Sequence, residues 1–134
     1  MMCWRNRLGI ADPGKLRELE AEVVAIRMAE LLSSPPKGTM DFAYLKRIHR
    51  KLFSDLYQMA GRIRTVDMAK GGSAFCYVQF IEPEQQRIFH EMRVAFTGRR
   101  LEKQSFVQAM AKLSADLNAL HPFREGNAAR SVAF

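Results

Sequence analysis

Phe106-Val107-Gln108-Ala109-Met110-Ala111-Lys112-Leu113-Ser114-Ala115-Asp116-Leu117-Asn118-Ala119-Leu120-His121-Pro122 is the stretch on which the fold turns. Phe106, Met110, Leu113, Leu117 and Leu120 recur at spacings of four, three, four and three, which is one face of an α-helix. No other periodic signal in the chain is as strong. It predicts a helix whose Phe and Met side chains form core rather than a cofactor box. Pro122 disfavours helical geometry at the residue before it, so the helix ends there and presents His121 at a helix-to-loop corner.

Upstream, Pro83 opens a helix with Ile88, Met92 and Ala95 inward and Gly98 as its stop. Before it, residues 63–68 and 75–78 lean towards β structure and flank the turn chemistry of Lys70-Gly71-Gly72-Ser73, which predicts a small hairpin. Nearer the start, Asp12 can cap a helix with Pro13 in its first position, and Leu16, Leu19, Val23 and Ile26 give it one apolar face. Ser33-Ser34-Pro35-Pro36-Lys37-Gly38 is a loop by composition. Thr39 or Asp41 then caps a helix carrying Phe42, Leu45, Ile48, Leu52 and Leu56, which Gly61 breaks. The pattern is an all-α fold, four helices with one inserted hairpin, forming a single domain over residues 1–134.

Composition narrows the classes. At 134 residues, 48% hydrophobic and 26% charged, the chain has the make-up of one soluble globular domain rather than a disordered tail. No apolar run approaches the ~20 residues of a membrane helix, and Met1 to Arg7 hold no secretory h-region, so the expected location is the cytoplasm, away from membranes. Cys3 and Cys76 show no metal-ligand spacing, so structural zinc is not expected and two reduced thiols are. The net charge of +7 favours nucleic acid, nucleotides or acidic protein surfaces without choosing among them. Arg62, Arg64, Arg99, Arg100 and Lys103 read as solvated faces. They lack the aromatic interleaving that stacks bases, which disfavours direct nucleic-acid binding.

The chemistry lies in His121-Pro122-Phe123-Arg124-Glu125-Gly126-Asn127. An imidazole at a helix corner can accept a proton near neutral pH. Glu125 alone cannot build a metal cage, but it can hold a Mg²⁺ that nucleotide phosphates also hold. Gly126-Asn127 can turn backbone N–H groups towards one point, and a helix restarting near Ala128 would make an anion site there. The blander readings stand beside these. A lone His at a helix end is commonly a cap, Glu-Gly-Asn is an ordinary turn, and Phe123 is a core anchor. His49 and His90 have no partner at ligand spacing and read as structural.

This segment resembles the start of the Fic motif, His-x-Phe-x-(Asp/Glu)-Gly-Asn-Gly-Arg-x-x-Arg. Asn6-Arg7-Leu8-Gly9-Ile10, residues 45–53, Ala60-Gly61-Arg62-Ile63-Arg64-Thr65-Val66-Asp67, Lys70-Gly71-Gly72-Ser73 and Phe80-Ile81-Glu82-Pro83-Glu84 are similar to Fic-domain sequence in the usual order. The resemblance implies a mostly helical domain with a β-hairpin flap over its active site. It also implies Mg²⁺-dependent transfer of AMP from ATP to a Ser, Thr or Tyr hydroxyl of a target protein. His121 would deprotonate that hydroxyl and Glu125 would hold Mg²⁺. Gly126 and Asn127, with Ala128 and Arg130 beside them, would form the phosphate side. Lys70 and Gly71 would line the nucleotide, and Thr65, Val66, Asp67, Ser73 and Phe75 would dock the target as an added strand. The nearest class implied is bacterial toxins held off by a separate small antitoxin protein.

The departures from the motif matter equally. Its last glycine is Ala128 here, its first arginine Ala129 and its second Val132. Ala128 restricts the backbone, and Ala129 removes a two-pronged phosphate grip whose loss typically costs ~10²–10³ in rate. Arg130 is one position late, which turns its side chain by about 100° on a helix, so it serves only if the register slips. The inhibitory (Ser/Thr)-x-x-x-Glu-(Gly/Asn) motif of the family is absent, and Val132 removes the arginine that an antitoxin glutamate would engage. The chain stops at Phe134, so a motif helix truncated within one or two turns is expected. The expectation is a weakened adenylyltransferase. The alternative is a degenerate, inactive Fic module that binds nucleotide, target or antitoxin.

Overall fold

Aspartates start the first two helices of the computed structural model, which describes residues 6–96 and 102–124. Asp12 accepts a hydrogen bond from Gly14 N–H (2.9 Å) and caps α1 (Pro13–Ser33), with Pro13 in its first turn. Asp41, rather than Thr39, caps α2 (Phe42–Phe53) by accepting from Tyr44 N–H (2.9 Å). Each bond satisfies a donor that the helix itself cannot pair. By its contacts the chain divides into two units, the first running to Arg62 and the second starting at Ile63.

In the first unit α1 packs along α2. The apolar stripe of α2 is buried as predicted, with Phe42, Leu45, Ile48 and Leu52 inward. α1 departs from its predicted face. Leu16 is buried, but Ile26 is 61% exposed and Leu31 takes the inward place. α1 carries apolar residues all round, so no single stripe dictates its rotation. α2 also stops at Phe53, well before Gly61, and Leu56 is buried from the turn that follows. Gly61 has another task. With φ +78° it passes so close to α2 that an added Cβ would lie 2.9 Å from the Lys46 carbonyl and from Arg50 Cβ. Its N–H donates to Nδ1 of the buried His49 (2.8 Å), whose ring leans on Phe53, so the structural reading of His49 holds.

The second unit opens with the flap. Its ladder is shorter than the β-leaning residues suggest. β1 (Ala69–Lys70) pairs antiparallel with β2 (Ser73–Ala74) around Gly71 and Gly72, at φ +60° and +80°. Two consecutive positive φ values match the twist of a two-residue hairpin. Beyond Phe75 N–H, which still donates to Met68 O, the arms turn their hydrogen bonds elsewhere: Arg64 N–H to Pro122 O and Cys76 N–H to Ala119 O. A 3₁₀ turn over Val78–Phe80 leads into α3 (Ile81–Phe96), which holds Pro83 in its first turn and packs against α4 (Lys103–Leu120). Ile88 and Phe89 of α3 and Leu113, Leu117 and Leu120 of α4 are buried. Phe106 is not core as expected. It is 49% exposed, at the start of α4, edge-on to Phe96. Gly98, the expected stop of α3, lies outside the described residues. Among the described residues no helix is long and apolar enough to cross a membrane.

Candidate functional site

The C-terminus of α4 sets the site. His121 is its C-cap, with φ 46° and ψ 61°, the left-handed region that residues with a Cβ seldom enter. Its N–H still closes the last helical turn on Leu117 O (3.0 Å). Pro122, which disfavours a right-handed helical conformation at His121, stops the helix there, as its sequence predicts. The imidazole lies flat on Phe75, the residue just after β2, with ring centroids 3.9 Å apart and planes 6° from parallel. The helix corner and the flap therefore meet ring on ring.

A helix end leaves carbonyls without partners, and here the second unit supplies donors for several of them. Cys76 N–H donates to Ala119 O. Arg64 Nη2 donates to Leu120 O (3.1 Å), Arg64 Nε to His121 O and Arg64 N–H to Pro122 O (2.9 Å). The same guanidinium reaches the flap, donating from Nη1 to Val66 O (2.8 Å) and from Nη2 to Cys76 O. Arg64 is only 2% exposed. The expectation of a solvated Arg64 is therefore corrected. It is a deeply buried cation, and desolvation lowers its pKa below the ordinary guanidinium value. Its charge faces carbonyl dipoles at a helix C-terminus, where the macrodipole favours a cation. α4 has no basic residue of its own in its last turn. Burial also raises the pKa of the Cys76 thiol, which disfavours a thiolate.

Of the residues singled out in the sequence, His121 and Phe75 are thus brought into contact. Thr65, Val66, Asp67 and Ser73 are exposed along the flap, and Lys70 and Gly71 are exposed at its tip. Asp67 also accepts from Val78 N–H (2.8 Å), which ties the two arms together below the turn. Thr65 and Asp67 line a groove of about 500 Å³ with Tyr77 and Gln79. A second cavity, about 590 Å³, runs between the flap, α3 and α4, past Phe75, Tyr77, Phe80 and Leu120. Glu125, Gly126, Asn127, Ala128 and Arg130 lie outside the described residues. Among the described residues no three His, Cys, Asp or Glu side chains cluster as metal ligands. The donor set read from sequence, one carboxylate at Glu125, suits a Mg²⁺ arriving on nucleotide phosphates rather than one resident in a protein cage.

Comparison with known proteins agrees with this architecture. Residues 39–134 match the model of the Fic/DOC family, so the chain belongs to that family. It is 38% identical over 131 residues to a probable protein adenylyltransferase, y4lH, of Sinorhizobium fredii, covering 97% of this chain and 67% of that protein. It is 33% identical over 123 residues to the probable protein adenylyltransferase Fic of Escherichia coli, covering 92% of this chain and 60% of that one. Among solved structures, BepC of Bartonella tribocorum with bound AMPPNP superposes with a TM-score of 0.89 at 26% identity, over 96% of this chain and 68% of that one. An ADP-bound N-terminal Fic domain from Bartonella quintana gives 0.85 at 28% identity, over 92% of this chain and 64% of that one. The chain spans about two thirds or less of the length of these relatives.

Proposed function

We propose that the chain is a cytoplasmic protein adenylyltransferase that moves AMP from ATP to a Ser, Thr or Tyr hydroxyl of a target protein, at a rate reduced by its motif changes. The observation that carries this reading is His121 held at the end of α4 with its ring against the flap. Nδ1 of His121 is buried, which leaves Nε2 as the nitrogen to meet a target hydroxyl. His121 takes the hydroxyl proton, the oxygen attacks the α-phosphorus of ATP, and the bond to the bridging oxygen breaks with pyrophosphate as leaving group. Bound Mg²⁺ supplies charge neutralisation on the phosphates, and Glu125 is the residue to hold it. Gly126 and Asn127 offer backbone N–H groups to the phosphates, with Ala128 and Arg130 beside them. Lys70 and Gly71 border the nucleotide, and the exposed flap residues 65–67, with Ser73, receive the target as a strand. Such transfer relies on positioning and charge stabilisation more than on covalent help. The AMPPNP and ADP in the two solved relatives support a nucleotide site in this fold.

The substitutions at Ala128 and Ala129 favour a second reading, a module that binds nucleotide, target or a small antitoxin without transferring AMP. Incubation with ATP labelled at the α-phosphate, Mg²⁺ and a bacterial lysate separates the two, with His121→Ala alongside. Label on a protein band that His121→Ala abolishes supports transfer. Nucleotide binding by calorimetry without label supports the binding module, and the absence of both signals refutes transfer and nucleotide binding, leaving only a module for target or antitoxin.

A further inference from the structure

The geometry points to Arg64 as the positioning residue of His121, holding its imidazole against the flap by clamping the backbone on both sides of it. This rests on the reading of His121 as the base. The left-handed conformation of His121 is disfavoured twice. A Cβ opposes it, and the residue before a proline prefers extended backbone. Rotating His121 into that extended conformation would swing its ring off Phe75. Something must hold the turn, and Arg64 makes three bonds across it, to the carbonyls of Leu120, His121 and Pro122. The remaining donors hold Val66 O and Cys76 O, one on each arm of the flap. Cys76 is the neighbour of Phe75, so one buried guanidinium holds the main chain of His121 and that of the residue next to Phe75. All four side-chain acceptors are main-chain carbonyls, and the burial of Arg64 keeps water from replacing them. A lysine has one nitrogen and cannot span these positions, so the substitution is not conservative here. A displacement of about 1 Å at a catalytic group can cost about 10²-fold in rate.

The test compares Arg64→Lys, Arg64→Met and Phe75→Leu with the wild-type chain. NMR reads the imidazole protons of His121, which the stacked Phe75 ring shifts upfield. Phe75→Leu calibrates the loss of that shift. Arg64→Lys and Arg64→Met are expected to lose most of it while the remaining spectrum stays native, and to lower kcat for AMP transfer about 10²-fold with little change in KM for ATP. Folded Arg64 variants with wild-type His121 resonances and kcat would reduce Arg64 to a helix cap and overturn the proposal. Should neither variant fold, the scalar coupling across the Arg64 Nε–H to His121 carbonyl hydrogen bond decides in the wild-type chain, and its absence overturns the clamp. If no chain transfers AMP, the catalytic reading of His121 fails, while the resonances still report whether Arg64 sets its ring.

Discussion

Gly61 and Gly71 both adopt positive φ, but they stand in different surroundings. A Cβ at Gly61 would press to 2.9 Å on the Lys46 carbonyl, whereas one at Gly71 meets nothing within 4 Å. Gly61→Ala is therefore expected to destabilise by more than ~2 kcal/mol, and Gly71→Ala by only the backbone cost of about 1 kcal/mol. Urea midpoints check this, and equal losses would contradict it. Single residues also mark the limit of sequence reading. The end of α4 at His121 was legible because Pro122 acts on its immediate neighbour. Arg64 was not, because its burial depends on carbonyls 56 and 57 positions away in the chain. The available hint was indirect: α4 ends without a basic residue in its last turn, so its carbonyls need donors from elsewhere.

Helices and hairpin carry predictions of their own. Asp41→Ala removes the acceptor at the start of α2 and is expected to cost about 1 kcal/mol in urea unfolding, with Asp41→Asn recovering most of it. Arg27 of α1 bonds Asp55 (2.7 Å) and Glu30 (3.0 Å) and holds both carboxyls below their ordinary pKa. A carboxyl lowered by folding stabilises above its unfolded pKa, and that contribution disappears as pH falls through the folded value. The urea midpoints of wild type and Arg27→Met should differ near neutrality and converge in acid. The gap should be small, because these groups are at least a third exposed. A gap that widens in acid would contradict the sign. At this scale the sequence announced helices with clear stripes and caps, α2 above all. It overstated the hairpin, because β-propensity cannot foresee that Arg64 and Cys76 bond the end of α4 instead of each other's strand.

For the whole molecule, family membership was legible from short runs spread along the chain, and the fold follows from it. Activity does not, since a fold hosts a working site only when the site's own residues are in place. Ala128 and Ala129 are the substitutions that set this chain's rate in the proposed account. Restoring the two phosphate-side positions of the motif with Ala128→Gly and Ala129→Arg should then raise AMP transfer by ~10²-fold or more. The most direct test of the account is the initial rate of label transfer from α-phosphate-labelled ATP with Mg²⁺ to lysate protein, measured for the wild type and the restored chain, each with and without His121→Ala. Faster labelling by the restored chain is expected, and none from either chain that lacks His121. Label that survives His121→Ala, or a restored chain that transfers nothing, would contradict it.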